Sequence, residues 1–169
     1  MGDGRCTVRI LGAGLAGSEA ALQLADRGIR VEIVEMRPEV GTAVHKTGNA
    51  AELVCSNSLK STNPDSAAGM LKAELSALGS HLIASAMRHR VAAGGALAVD
   101  REAFSSEVTS LLEEHPLIEV SRRCARSIDD EARGADALIV ATGPLTEGEL
   151  AASLCEATGA ENLAFFDAA

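Results

Sequence analysis

Residues 7–35 read T-V-R-I-L-G-A-G-L-A-G-S-E-A-A-L-Q-L-A-D-R-G-I-R-V-E-I-V-E, and this stretch restricts the fold more than any other. A β-rich run, Val8 to Leu11, leads straight into Gly12-x-Gly14-x-x-Gly17. A helical run follows, with Ala20, Ala21, Leu24 and Ala25 returning on one face and Gly28 where a C-cap belongs. Residues 30–35 then form a second strand that ends on an acid. Each residue type in the turn has a physical task. Gly12 permits the tight exit from the strand, Gly14 leaves room for a pyrophosphate against the backbone, and Gly17 lets the helix pack on the strands. The main chain of Ala13, Leu15 and Ala16 adds N–H groups at the positive end of the helix dipole, and Glu35 is placed for ribose hydroxyls. The strand, helix and acid around the glycines make this a dinucleotide site rather than a Gly-rich turn.

The 169 residues suffice for one domain with its own core, and 47% of them are hydrophobic. With no Trp or Tyr and three Phe, that core must come from Ala, Val, Leu and Ile. A net charge of −9 argues against a broad nucleic-acid surface on this stretch. Cys6, Cys55, Cys124 and Cys155 form no C-x-x-C pair and no Cys/His cluster of zinc spacing, so we expect no metal, and free thiols in a reducing cytoplasm. No signal peptide or membrane-length apolar run is present, so no membrane partner is expected.

Residues 36–64 read as a long irregular segment interrupted by the apolar patch 50–55. One helix is predicted from Asp65 to about Arg88, capped by Asp65 or Ser66 and bent or broken at Gly79. Its stripe of Met70, Leu71, Leu75, Leu78, Leu82, Ile83 and Met87 is expected to face the core. Arg88-His89-Arg90 reads as a helix end complementing its dipole. Two glycines precede a short strand near residue 97, and Asp100 caps a helix to about Glu114 that Pro116 ends. Residues 117–120 and 125–128 read as short strands. A buried-strand pattern, 135–144, ends in Ala141-Thr142-Gly143, which brings main chain to the same sheet edge as the glycine turn. Thr146-x-x-Glu149 reads as a capping box opening a helix to about Ala157, with Gly159 as its C-cap. Residues 162–169 begin another apolar run. The fold class expected is α/β, a Rossmann-like FAD/NAD(P)-binding domain. Its parallel sheet would take strands near residues 8, 31, 97 and 138, with those near 118 and 126 as a small β addition. Residues 1–169 would form one FAD-binding domain, the N-terminal part of a longer, truncated protein.

The G-x-G-x-x-G, the acid and the late A-T-G strand resemble flavoproteins with two dinucleotide-binding domains. Five ordered blocks narrow the match: Gly12-Ala-Gly-Leu-Ala-Gly-Ser-Glu-Ala-Ala, Val34-Glu-Met-Arg-Pro38, Ala51-Glu-Leu-Val-Cys-Ser-Asn-Ser-Leu-Lys60, Gly94-Gly-Ala-Leu-Ala-Val-Asp-Arg101 and Val140-Ala-Thr-Gly-Pro-Leu-Thr146. Together they resemble the folate- and FAD-dependent tRNA (uracil-5-)-methyltransferases, also called the Gid family. The resemblance implies FAD held by the glycine turn, Glu35, Arg37, Thr142 and Gly143. It also implies 5,10-methylenetetrahydrofolate as carbon donor, NAD(P)H as reductant and the T-loop uridine of tRNA as substrate. The tRNA surface would lie mostly outside this stretch, consistent with its acidity.

Within the resemblance Cys55 is the catalytic candidate. A thiolate adding at uracil C6 makes C5 nucleophilic; the same thiolate could instead bond the flavin, and Lys60 or a helix N-terminus could lower its pKa. From residues alone, a Cys after Leu-Val reads as a small packed hydrophobe, and the family block reverses that reading. Ser56, Asn57 and Ser58 are candidate substrate contacts with Lys60, or simply turn formers. Cys6, Cys124 and Cys155 read as structural, and His45 as a solvated loop residue in preference to a phosphate or substrate contact. Three rival readings remain. A wobble-uridine flavoprotein of the GidA type typically has Cys-Asn-Pro-x-x-Gly-Gly where this chain has Cys55-Ser-Asn-Ser-Leu-Lys-Ser61. An inert FAD-binding fragment and an NAD-dependent dehydrogenase are the others; Glu35-x-Arg37 and the A-T-G strand favour FAD over the last.

Overall fold

Alternating apolar residues in the first two strands give each strand one set of side chains per sheet face. The computed structural model describes residues 6–144 and 146–159. Strand β1 (Thr7–Leu11) and strand β2 (Arg30–Glu35) run parallel, in register from Thr7 opposite Arg30 to Leu11 opposite Val34. A parallel pair needs a crossover of a dozen or so residues, and helix α1 (Leu15–Asp26) supplies it. Gly28 ends that helix with a left-handed φ of 81°. Arg9 and Glu32, directly opposite across the pair, form an ion pair at 2.7 Å.

The chain next builds a small sheet of β3 (Ser58–Ser61), β4 (Arg90–Val91) and β5 (Ala96–Val99). Between β3 and β4 lie helices α2 (Ala67–Ala77) and α3 (His81–Arg88). Helix α4 (Arg101–Glu113) then leads to β6 (Ile118–Arg122), α5 (Ile128–Ala132), β7 (Ala137–Val140) and α6 (Gly148–Thr158). The main sheet is all parallel, in the order β6-β2-β1-β7; the small one is antiparallel, in the order β3-β5-β4.

Two predicted strands have therefore exchanged roles. The strand near residue 97 belongs to the small sheet, and the one near 118 takes the outer place beside β2. The connections decide this. Residues 92–95 are too few for a crossover, so β5 folds back antiparallel on β4, whereas α4 is long enough to return β6 parallel to β2. Residues 125–128 form no strand: Ser127 instead caps α5, whose first turn carries Asp129, Asp130 and Glu131.

The predicted 65–88 helix is two helices. Gly79 has φ +75°, and Ser80 opens α3 by accepting from the Ile83 N–H. Glu19 of α1 also accepts from the Ser80 hydroxyl and from the His81 and Leu82 N–H groups, so the new helix start is tied to α1. Most of the apolar stripe does not reach the core. Leu82 is buried, but Met70, Leu71, Leu78 and Met87 are each more than half exposed. Within α2 only Gly69 is buried, where a Cβ would lie 1.8 Å from the Asn63 carbonyl oxygen. Arg88 and His89 pair with Glu107 of α4.

The capping box also differs. Helix α6 begins at Gly148 without a side-chain cap, and the Thr146 hydroxyl donates to the Gly143 carbonyl at 2.8 Å. Gly159 adopts the predicted left-handed C-cap. The apolar run 162–169 lies outside the described residues.

The sheet separates two apolar clusters. Ile10, Ile33, Leu22, Leu97, Phe104, Val108 and Leu112 form the larger, with Ile139 packed on it. Leu11, Val34 and Leu150 form the smaller, with Ile128, Leu138 and Leu154. Neighbouring residues on one strand serve opposite clusters, which is the period-two pattern of a strand covered on both faces.

Candidate functional site

The carboxyl ends of β2, β1 and β7 meet around the glycine turn. The Gly12 N–H donates to the Val34 carbonyl, and the Ala141 N–H to that of Leu11, each at 2.8 Å. A Cβ on Gly12 would sit 2.7 Å from the Ala141 oxygen, and one on Gly17 would sit 1.9 Å from the Gly12 oxygen. Both glycines therefore serve the packing of the turn. A Cβ on Gly14 would meet nothing within 4 Å. Gly14 is the N-cap of α1, and Leu15 and Ala16 are exposed at its first turn. The first N–H groups of a helix lack intrahelical partners, so this open edge suits a phosphate. Thr142 and Gly143 stand on the neighbouring strand exit, where Gly143 has φ +75° and the Thr142 hydroxyl bonds Thr146 at 2.6 Å.

Glu35 is buried at the end of β2. Its carboxylate accepts from the Ala13 N–H at 2.8 Å, from the Arg37 N–H at 3.0 Å and from Arg37 Nε at 2.9 Å. Burial alone would raise its pKa, but these bonds outweigh that and hold it below the usual carboxylate value. Arg37, also buried, reaches on to Glu52 at 3.3 Å. Glu52 accepts in addition from the Lys46 N–H, the Thr47 N–H and the Thr47 hydroxyl, at 2.8, 3.1 and 2.8 Å. Its carboxyl is held low by the same balance of burial against hydrogen bonds.

The loop between Arg37 and Gly48 is closed by Arg122 of β6, which donates to the carbonyls of both end residues at 3.0 and 2.8 Å. It encloses a shallow cleft of about 170 Å³ bordered by Arg37, Thr42, His45 and Lys46. His45 is half-buried and bonded to Thr42 at 2.6 Å, rather than freely solvated. Burial, with the charge of Arg37, keeps its pKa below that of an ordinary histidine.

Cys55 is exposed on the segment between this loop and β3. Ala51 fastens one end of the segment, donating its N–H to the Ala13 carbonyl at 2.8 Å. Asn57 fastens the other: its carbonyl accepts from the Val99 N–H and its amide donates to the Val99 carbonyl. Arg101 donates to the Leu53 carbonyl in between. Ser56 and Ser58 spend their hydroxyls on nearby main chain, at the Ser58 and Lys60 N–H groups. Lys60 stands at a left-handed φ of 67° beside the irregular register of β3. Cys6 and Cys124, read as structural, are exposed; Cys155 is partly covered. Glu52, Ala51 and Arg122 are absent from the candidates drawn from sequence. The one visible signal was a lone acid, Glu52, inside the apolar patch 50–55. Among the described residues no His/Cys/Asp/Glu group is arranged to hold a metal ion, and no helix is long and apolar enough to cross a membrane.

Comparison with known proteins places this arrangement. In solved structures, FqzB superposes on 91% of this chain and 38% of its own with a TM-score of 0.52 at 16% identity, a likeness of fold. Among curated proteins, the methylenetetrahydrofolate--tRNA-(uracil-5-)-methyltransferase TrmFO of Desulfitobacterium hafniense is 53% identical over 162 residues, which cover 96% of this chain and 36% of that protein. The protein of the same name from Rhizorhabdus wittichii is 54% identical over 161 residues, covering 95% and 35%. The chain thus spans about a third of the length of these relatives. The model of the family described as glucose inhibited division protein A matches residues 7–168, and the chain belongs to that family.

Proposed function

We propose that residues 1–169 are the FAD-binding part of a folate- and FAD-dependent tRNA (uracil-5-)-methyltransferase. The observation that carries this reading is identity above one half, over nearly the whole chain, to relatives bearing that name. The residues present fit the cofactor. The open side at Gly14 admits a pyrophosphate to the N-terminus of α1, with Ala13, Leu15 and Ala16 lending main chain and Thr142 and Gly143 standing alongside. A carboxylate has about four acceptor positions, and Glu35 uses three, leaving one for a ribose hydroxyl. Arg37 fixes the orientation of that carboxylate. FAD, reduced by NAD(P)H, supplies the electrons that bring the carbon of methylenetetrahydrofolate to the methyl level.

Cys55 is the nucleophile in this reading. Its exposed thiol lies between two fastened positions, Ala51 and Asn57, which set its place without covering it. Adding as thiolate to uracil C6, it would raise electron density at C5, the atom that takes the methyl group. Ser56, Asn57 and Ser58 act by shaping the turn, and Lys60, exposed on β3, is the cationic residue nearest to Cys55 in the family block. The compartment consistent with exposed free thiols and a tRNA substrate is the cytoplasm.

The test is a visible absorption spectrum of the full-length protein, followed by incubation with tRNA lacking the T-loop methyl, methylenetetrahydrofolate and NADH. Flavin absorption with a methyl gained at uracil C5 is the expected result. Flavin without methyl transfer would redirect the reading to wobble-uridine modification. No flavin would remove the Gly12–Gly17 site.

A further inference from the structure

The bonds described above close into a ring. The Ala13 N–H donates to Glu35, Arg37 donates to Glu35 and also to Glu52, Glu52 is joined by its peptide bond to Ala51, and the Ala51 N–H returns to the Ala13 carbonyl. One residue of the glycine turn therefore holds both ends of a loop of hydrogen bonds that runs through three buried or nearly buried charges. Arg37 and Glu35 have side chains 5% and 6% exposed, and Glu52 11%. The Cys55 segment starts from this ring. Two residues, Leu53 and Val54, separate Cys55 from Glu52, and the far anchor at Asn57 is fixed to Val99.

We propose that Glu52 is a positioning residue that makes the placement of Cys55 depend on occupancy of the glycine turn. The inference rests on the FAD reading given above. A ligand hydroxyl on Glu35 draws on the same carboxylate that holds Arg37, and Arg37 in turn holds Glu52. A phosphate on the N–H groups beyond Gly14 acts on the same turn whose Ala13 carbonyl holds Ala51. Both routes end at residues 51–52, and neither requires the ligand to touch Cys55. Glu52 also gathers the Lys46 and Thr47 N–H groups, so the loop bordering the cleft moves with it. Buried charges in such a ring have few intermediate arrangements, because an unpaired member is costly.

The test is the rate at which iodoacetamide alkylates Cys55, read by peptide mass spectrometry because Cys6 and Cys124 are also exposed. The full chain is measured without ligand, with saturating FAD, and with ADP, which carries the pyrophosphate and ribose but no flavin ring. Flavin content and nucleotide affinity are measured separately. In the wild type both nucleotides should change the Cys55 rate by about 5-fold or more. In Glu52→Gln, which keeps the shape but not the charge, the change should fall below about 2-fold with nucleotide still bound. Thr47→Ala removes one side-chain donor to Glu52, together with the acceptor of the Asn49 N–H, and should give an intermediate response. Glu156→Gln, at an exposed position of α6, should respond as the wild type does. An unchanged response in both Glu52→Gln and Thr47→Ala would overturn the inference, as would bound FAD with no response in the wild type; either result leaves the FAD reading standing. No nucleotide binding by the wild type would overturn both.

Discussion

At Gly12, Gly14 and Gly17 the same residue type is required for different reasons, and substitution should separate them. Gly14 has open space on its Cβ side and sits at φ −72°, so the chain itself tolerates a side chain there. Gly14→Val should fold with its melting temperature nearly unchanged and contain no flavin, as absorption would read. Gly17→Ala meets main chain and should lose about 2 kcal/mol or more in a denaturant titration. A Gly14→Val protein that kept its flavin would remove the site. Cys55→Ala should keep both fold and flavin while losing methyl transfer, because its side chain is exposed rather than part of the core. Full methylation by that variant would take Cys55 out of the chemistry. The glycines were readable in the sequence because a turn imposes its conformation locally. Glu52 was not, because its partner Arg37 is fifteen residues away and meets it only in the folded chain.

Among the elements, the loop 37–48 depends on carboxylates rather than on apolar burial, whereas Ala50, Ala51 and Leu53 just after it join the larger apolar cluster. Glu35 and Glu52 both have depressed pKa values in the fold, starting from 4.5. The unfolded chain therefore takes up protons before the folded one does as pH falls, so their stabilisation is present above 4.5 and lost progressively below it. His45, depressed from 6.5, adds a loss of the same sign that begins nearer neutrality. Melting followed by circular dichroism from about pH 7 to about pH 3 should show this decline, and Glu52→Gln should make it shallower. An unaltered slope in that variant would mean that Glu52 does not titrate with folding. Elements with strong local signals, β1, α1, β2 and the Asp100-capped α4, follow the sequence reading. β5 and β6 did not, because two four-residue apolar runs look alike until the length of the connection between strands is counted. The stripe of α2 failed for a related cause: helical periodicity shows that one face is apolar, but not that anything covers it.

For the molecule as a whole, charge sets the expectation. With −9 overall and several cations in or beside the main sheet engaged with acids, such as Arg9 with Glu32 and Arg123 with Glu131, this stretch offers little to a polyphosphate backbone. In a filter-binding assay at about 100 mM salt, residues 1–169 alone should hold tRNA no more tightly than about 10 μM. Submicromolar, salt-sensitive binding would place a tRNA footprint here after all.

The fastening between Ala51 and Ala13 has a consequence for genetics. It is made of main-chain atoms at both ends, so among single substitutions only proline at position 51, which lacks the N–H, deletes it outright. An alanine scan passes over it by construction, since both positions already carry alanine. Ala51 sits at a left-handed φ of 52°, so glycine there should be accepted and larger residues rejected for want of space. A saturation library would record position 51 as a site that accepts little besides alanine and glycine. Replacing the amide of residue 51 with an ester, by chemical ligation, is the change that removes the donor and leaves every side chain in place.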